Sequence, residues 1–154
     1  VEAPLIHEIF PGVPIVPIMV PPWASPAEVG RRVARAVDGS EAGDVVAVAS
    51  TDLTHYGERF GFEPAGTGPA AHDWMKGNDR RMLDLACRLE AERIPAEAER
   101  HRNACGPGAL AAAAAFAREL GSHGGSVLER TDSHEVEGTG EPFKQAVGYA
   151  GIVF

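Results

Sequence analysis

The chain has 154 residues, 44% of them hydrophobic, which is enough apolar material for one compact domain with a core and too much for a disordered chain. Its formal net charge of −8 speaks against nucleic-acid partners and against an anionic membrane surface, since both select basic faces. No apolar run approaches the roughly 20 residues of a bilayer span. The two cysteines, Cys87 and Cys105, lie in no secretory framework and fit reduced thiols in a cytoplasmic protein.

The chain opens on Val1-Glu2-Ala3-Pro4 without an initiator Met and enters an element midway, as expected of a processed chain, a fragment or one subunit of a split protein. Leu5, Ile6, Ile9 and Phe10 have helical spacing, and Pro11-Gly12 ends that segment. The run Val13 to Val20 is rich in β-branched residues and predicts a strand. Pro14 and Pro17 cannot donate to a ladder, so the strand belongs at an edge or is irregular. Ser25-Pro26-Ala27-Glu28 has the form of a helix start, with Ser25 as N-cap and Glu28 closing a capping box. Val29, Val33 and Val37 mark one face of this helix, and Gly39 stops it.

Asp44 to Ser50 is a continuous apolar run that predicts a central strand covered on both faces. It opens into Thr51-Asp52-Leu53-Thr54-His55-Tyr56-Gly57, beyond the carboxyl end of a strand, where open α/β sheets bind ligands. Residues 58–68 form a loop. A long helix from His72 to Ala91 follows, with Trp74, Met82, Leu85 and Leu89 as core contacts, then a shorter one from Ile94 to His101. The alanine-rich stretch through Leu120 predicts a buried helix capped by Gly121. Val127 to Arg130 predicts a strand, Ser133 to Pro142 a polar loop, and Ala146 to Phe154 a final strand. Arg31, Arg32, Arg80 and Arg81 have acidic neighbours on predicted helices and belong to solvated faces. There is no internal repeat and no linker, so the expectation is one α/β domain spanning residues 1–154.

Two places carry chemistry. Asp52 and His55 stand three residues apart in a tight loop. A carboxylate accepting from a ring N–H fixes the imidazole tautomer and raises its basicity. His55 is thereby a candidate metal ligand, general base or hydrogen-bond donor, with the Tyr56 phenol beside it; the bland alternative is a surface turn capped by Asp52. Cys105 precedes Gly106-Pro107-Gly108 and a helix, and the positive end of a helix favours a thiolate, a ligand for borderline metals and a nucleophile. The alternative is a cysteine acting as a small buried hydrophobe. His101 and His134 adjoin element ends and are secondary candidates, whereas His7, His72 and His123 fit ordinary surface positions and Cys87 fits the core. HExxH, a CxxC pair, a phosphate loop and GxSxG are all missing; a Cys105–His55–Asp52 triad stays conceivable.

The segment Val48-Ala49-Ser50-Thr51-Asp52-Leu53-Thr54-His55-Tyr56-Gly57 resembles the "SSDLSHYG" signature of the MEMO family, also called AmmeMemoRadiSam system protein B. His101-Arg102-Asn103-Ala104-Cys105-Gly106 resembles that family's cysteine motif, Ala146 to Phe154 its "VGYA" terminal strand, and Val1-Glu2 through Val20 its "HSIE…LP" helix and "IVPILVG" strand. The resemblance implies kinship with the class III, LigB-type extradiol dioxygenases: a three-layer α/β fold with a central, mostly parallel or mixed sheet flanked by helices. It implies a metal-dependent oxidoreductase-like activity on a small-molecule substrate, with non-haem iron the expected metal and copper or zinc as alternatives. Cys105 matches a metal-ligand position, and Asp52, His55 and Tyr56 match pocket positions with catalytic roles. The family's two metal-binding histidines lie earlier, in "PHAGY"-like and "GPSHH"-like segments that this sequence lacks. The resemblance therefore covers a carboxyl-terminal half. It implies a complementary N-terminal-half chain, from a split gene or a cleaved precursor, that carries two His ligands and completes the sheet. Two other functions fit the same motifs: a non-catalytic metal-binding or interaction scaffold, and a cysteine-dependent hydrolase.

Overall fold

The computed structural model describes residues 2–38, 45–138 and 140–154. Gly39 as a helix stop and Asp44 as a strand start lie outside the described residues. The chain forms α1 (Glu2–Ile9), α2 (Pro26–Val37), β1 (His55–Tyr56), α3 (Pro69–Cys87), α4 (Ile94–His101), α5 (Pro107–Glu119), β2 (Ser126–Asp132), α6 (Ser133–Glu137) and β3 (Ala146–Val153). Helices and a sheet in one body bear out the α/β class.

The sheet itself differs from the expectation. It has three strands in the order β1-β3-β2, and both pairings are antiparallel rather than mostly parallel. Neither the edge or irregular strand expected at 13–20 nor the described part, 45–50, of the expected central strand belongs to a ladder among the described residues. A strand exists only when neighbouring strands satisfy its N–H and C=O groups. Val46 is 82% and Val48 63% exposed, so the run has the composition of a doubly covered strand without the cover. The run 13–20 is similarly bare, with Val16 81% and Met19 93% exposed.

Helix packing is built on small residues. In α2 the buried stripe is Ala27, Gly30 and Ala34, not the valines, which are half-buried. A Cβ at Gly30 would lie 2.0 Å from the Ala112 carbonyl oxygen, so α2 and α5 meet backbone to backbone. The capping box does not form: Ser25 sits at φ 50° with no side-chain cap, and Glu28 turns to Arg31 and Arg32 instead. Helix α3 starts three residues earlier than predicted, with Pro69 in its first turn, and ends at Cys87. Its buried side joins Met82, Leu85 and Ala86 to Ile94, Leu110 and Ala111 in the main core. Trp74 lies at the surface, its ring 5.9 Å from Tyr56 and 5.8 Å from Phe62. The first five residues of the predicted 133–142 loop are α6, because the Asp132 side chain caps it by accepting from Glu135 N.

Strand β3 lies at the centre of the sheet, pairing His55 with Val147 and Tyr56 with Ala146 on one side and β2 on the other, where the register shifts between Val127 and Glu129. Gly148 packs directly on Asp79: a Cβ there would lie 2.4 Å from Oδ2. No described helix is long and apolar enough to cross a membrane.

Candidate functional site

Both bare extended runs end at the amino terminus of α5. A Cβ at Gly108 would meet the Val20 carbonyl oxygen at 2.0 Å, and one at Gly106 would meet that of Ser50 at 2.9 Å. Glycine is required at both places because the backbones touch. Cys105 stands at this junction. Its amide donates to the Asp52 carbonyl at 3.1 Å, and the Asp52 amide points at its Sγ from 3.3 Å. The Gly106 amide donates to Thr51 Oγ1 at 2.8 Å, while that hydroxyl lies 3.8 Å from the sulfur.

His55 completes the group. Its Nε2 lies 3.3 Å from Asp52 Oδ2. An ionised carboxylate only accepts, so in this contact Nε2 is the donor. One ligand atom from each of Asp52, His55 and Cys105 falls within 4.8 Å of the others. Cys105 is exposed and the other two are half-buried, so a ligand can reach all three. A cavity of about 870 Å³ runs from Cys105 past Pro107 and Ala98 to Trp23 and Arg31.

A polar framework beneath the site ties its two loops together. Asn78 Nδ2 donates to Thr54 Oγ1 and to the His101 carbonyl, and Asn103 Nδ2 donates to the Asn78 carbonyl. Asp79 accepts from the Thr54 amide at 3.0 Å and from Arg130 at 2.7 Å. Asn78 and Asp79 are buried on the same side of α3 as Met75, Met82, Leu83 and Ala86. Two polar residues inside an i, i+3, i+4, i+7 apolar stripe were the signal in the sequence that could have found them.

The remaining candidates lie elsewhere. Tyr56 is fully buried; its hydroxyl donates to the Gly66 carbonyl and accepts from the Ala65 amide, anchoring the 57–68 loop. Neighbours on a strand point to opposite faces, so Tyr56 turns from the side His55 serves. His101 contacts Arg81 at 2.8 Å and lies 3.9 Å from Glu97. His134 stands with its ring edge toward His72 and Phe143. His72, read as an ordinary surface residue, instead lies 2.7 Å from the buried Asp132 and stacks on Phe143.

His72, Asp132 and Glu135 form a second group with ligand atoms within 4.8 Å. Arg130 donates to Asp132, Asp79 and Glu135, so a guanidinium already supplies the positive charge a metal would bring. Burial pushes the Asp132 carboxyl up, but hydrogen bonds from His72, the Glu135 amide and Arg130 outweigh it and hold the group below its ordinary value. Burial likewise raises the Cys87 thiol, with Asp84 adding to the effect.

The Memo-like protein family model matches residues 1–153. The chain is 31% identical over 159 residues to a MEMO1 family protein of Caldivirga maquilingensis, covering 100% of this chain and 50% of that relative. It is 37% identical to one of Thermococcus kodakarensis, over 72% of this chain and 38% of the relative. A Pyrococcus horikoshii MEMO1 family protein is 30% identical over 92% of this chain and 48% of its own length. Fold class, motifs and these matches agree: the chain belongs to the Memo-like protein family. It spans about half the length of the curated relatives it matches.

Proposed function

We propose that this chain contributes one side of a non-haem metal site in a metal-dependent, oxidoreductase-like protein related to the class III extradiol dioxygenases. The observation that carries this reading is the convergence of Asp52, His55 and Cys105 within 4.8 Å at the meeting point of two extended runs. Cys105 supplies a thiolate, and with the two imidazoles expected of a complementary half it makes a donor set for a metal of borderline softness. Iron is proposed from the kinship with the extradiol dioxygenases, with copper and zinc as alternatives that a thiolate also binds. Cys105 is the ligand, and its sulfur is oriented by the Asp52 amide. His55 accepts or returns a proton of a small-molecule substrate, and Asp52 holds its tautomer. When bound, the metal would supply Lewis-acid polarisation of the substrate and a site for oxygen chemistry.

One cysteine does not hold a metal, and further ligands are needed. Their source in this reading is a complementary half, equal to the length the relatives have beyond this chain, carrying two histidines. Its seat is the apolar surface of Val16, Met19, Trp23, Val46 and Val48, which is far barer than an apolar surface left in water. Strands of that half would pair with 13–20 and 45–50 and bring the histidines over Cys105. Two free cysteines accord with a cytoplasmic location.

The test is metal content and oxygen uptake of the complete protein. The reading expects about one iron per site, oxygen consumption with catechol-type substrates, and loss of both in Cys105→Ser. Full metal retention in Cys105→Ser removes the ligand assignment; metal without oxygen uptake leaves a metal-binding scaffold.

A further inference from the structure

Arg102 links the two loops of the site through contacts to Phe60, Gly61 and Phe62. It is the C-cap of α4, held in the left-handed region at φ 52°, and this conformation follows the helix end. From there its guanidinium reaches the turn at 57–62. Nη1 donates to the Gly61 carbonyl at 3.0 Å and Nη2 to the Phe60 carbonyl at 3.1 Å. The guanidinium carbon also lies 4.6 Å from the centre of the Phe62 ring. A planar fork on two successive carbonyls, stacked on an aromatic face, is an arrangement that lysine cannot reproduce.

The turn so gripped is the one that walls His55. The Phe60 ring lies 5.1 Å from the imidazole, inclined at 46°. On its other side the turn is fixed by the backbone pair of Gly57 with Phe62, and by Phe62 against Trp74. Three residues beyond Arg102 comes Cys105, on a segment locked to Asn78 by Asn103. Ordering an exposed arginine costs rotamer freedom, which the fork and the stacked ring must offset.

We infer that Arg102 is a positioning residue: by holding the Phe60 and Gly61 carbonyls it keeps the Phe60 ring against His55, and so keeps Nε2 turned to Asp52. Arg102 thereby sets the orientation of the imidazole relative to the sulfur. The inference rests on reading His55 and Cys105 as parts of one site.

Imidazole nitrogen spectra and amide exchange of the complete protein test it. In the wild type, His55 is expected as a single Nε2–H tautomer with a narrow signal. In Arg102→Ala the His55 signal broadens or becomes a tautomer mixture, that of His72 is unchanged, and amide exchange over 57–62 rises at least roughly tenfold, since two charge-assisted hydrogen bonds to that turn are lost. Arg102→Lys restores only part of this. Phe60→Ala alters His55 to the same degree, and adding Arg102→Ala to it changes His55 no further. An unaltered His55 signal in Arg102→Ala, or additive effects in the double variant, overturns the inference. Metal retained in Cys105→Ser while Arg102→Ala still disturbs His55 would instead leave Arg102 its role and remove the site reading.

Discussion

At the scale of single residues, the buried ion network decides more than any surface pair. Arg130 lies between Asp79 and Asp132, both fully buried, and removing it strands two like charges in the interior. Arg130→Ala is expected to cost about 3–5 kcal/mol of unfolding free energy, read by chemical denaturation. The pH dependence follows from the lowered carboxyl of Asp132. On acidification the unfolded chain, with a carboxyl near about 3.9, takes up this proton before the folded chain does. The contribution of Asp132 is therefore complete above the unfolded value and is lost as pH falls through the folded one. The stability gap between wild type and Asp132→Asn should shrink from neutral pH toward pH ~3; a gap that stays constant would show that the His72 and Arg130 contacts do not hold the carboxylate.

At the scale of elements, close backbone contact organises the helices and aims the site. Gly30 has no room for a methyl group against the Ala112 carbonyl. Gly30→Ala should cost about 1–3 kcal/mol, seen as a lower denaturation midpoint with an unchanged slope, by forcing α2 off α5. The sequence announced most helices and β3, because their apolar spacing, prolines and terminal glycines act locally. It singled out Asp52, His55 and Cys105 through a loop and a helix start, and the structure brings one ligand atom of each within 4.8 Å of the others. It misled about 13–20 and 45–50, because an apolar β-branched run specifies a strand only if something pairs with it. It concealed His72, Asp79 and Arg130, since charge partners on α3 and β2, as many as 60 residues apart, leave no local trace.

At the scale of the whole molecule, the proposed complementary half rests on the bare apolar surface and on the half-length match to the relatives. Val46 and Val48 are exposed and lie outside the helical core, so charged replacements there test that surface. Val46→Asp/Val48→Asp should weaken association with the complementary half at least about tenfold, measured by titration of separately produced halves, while the circular dichroism of this half stays the same. Undiminished association would move the seat elsewhere. The central claim concerns the sulfur of Cys105, and X-ray absorption at the edge of the native metal reads it most directly. A sulfur scatterer at about 2.3 Å, gone in Cys105→Ser, is the predicted result. A first shell of nitrogen and oxygen alone in the wild type would contradict it.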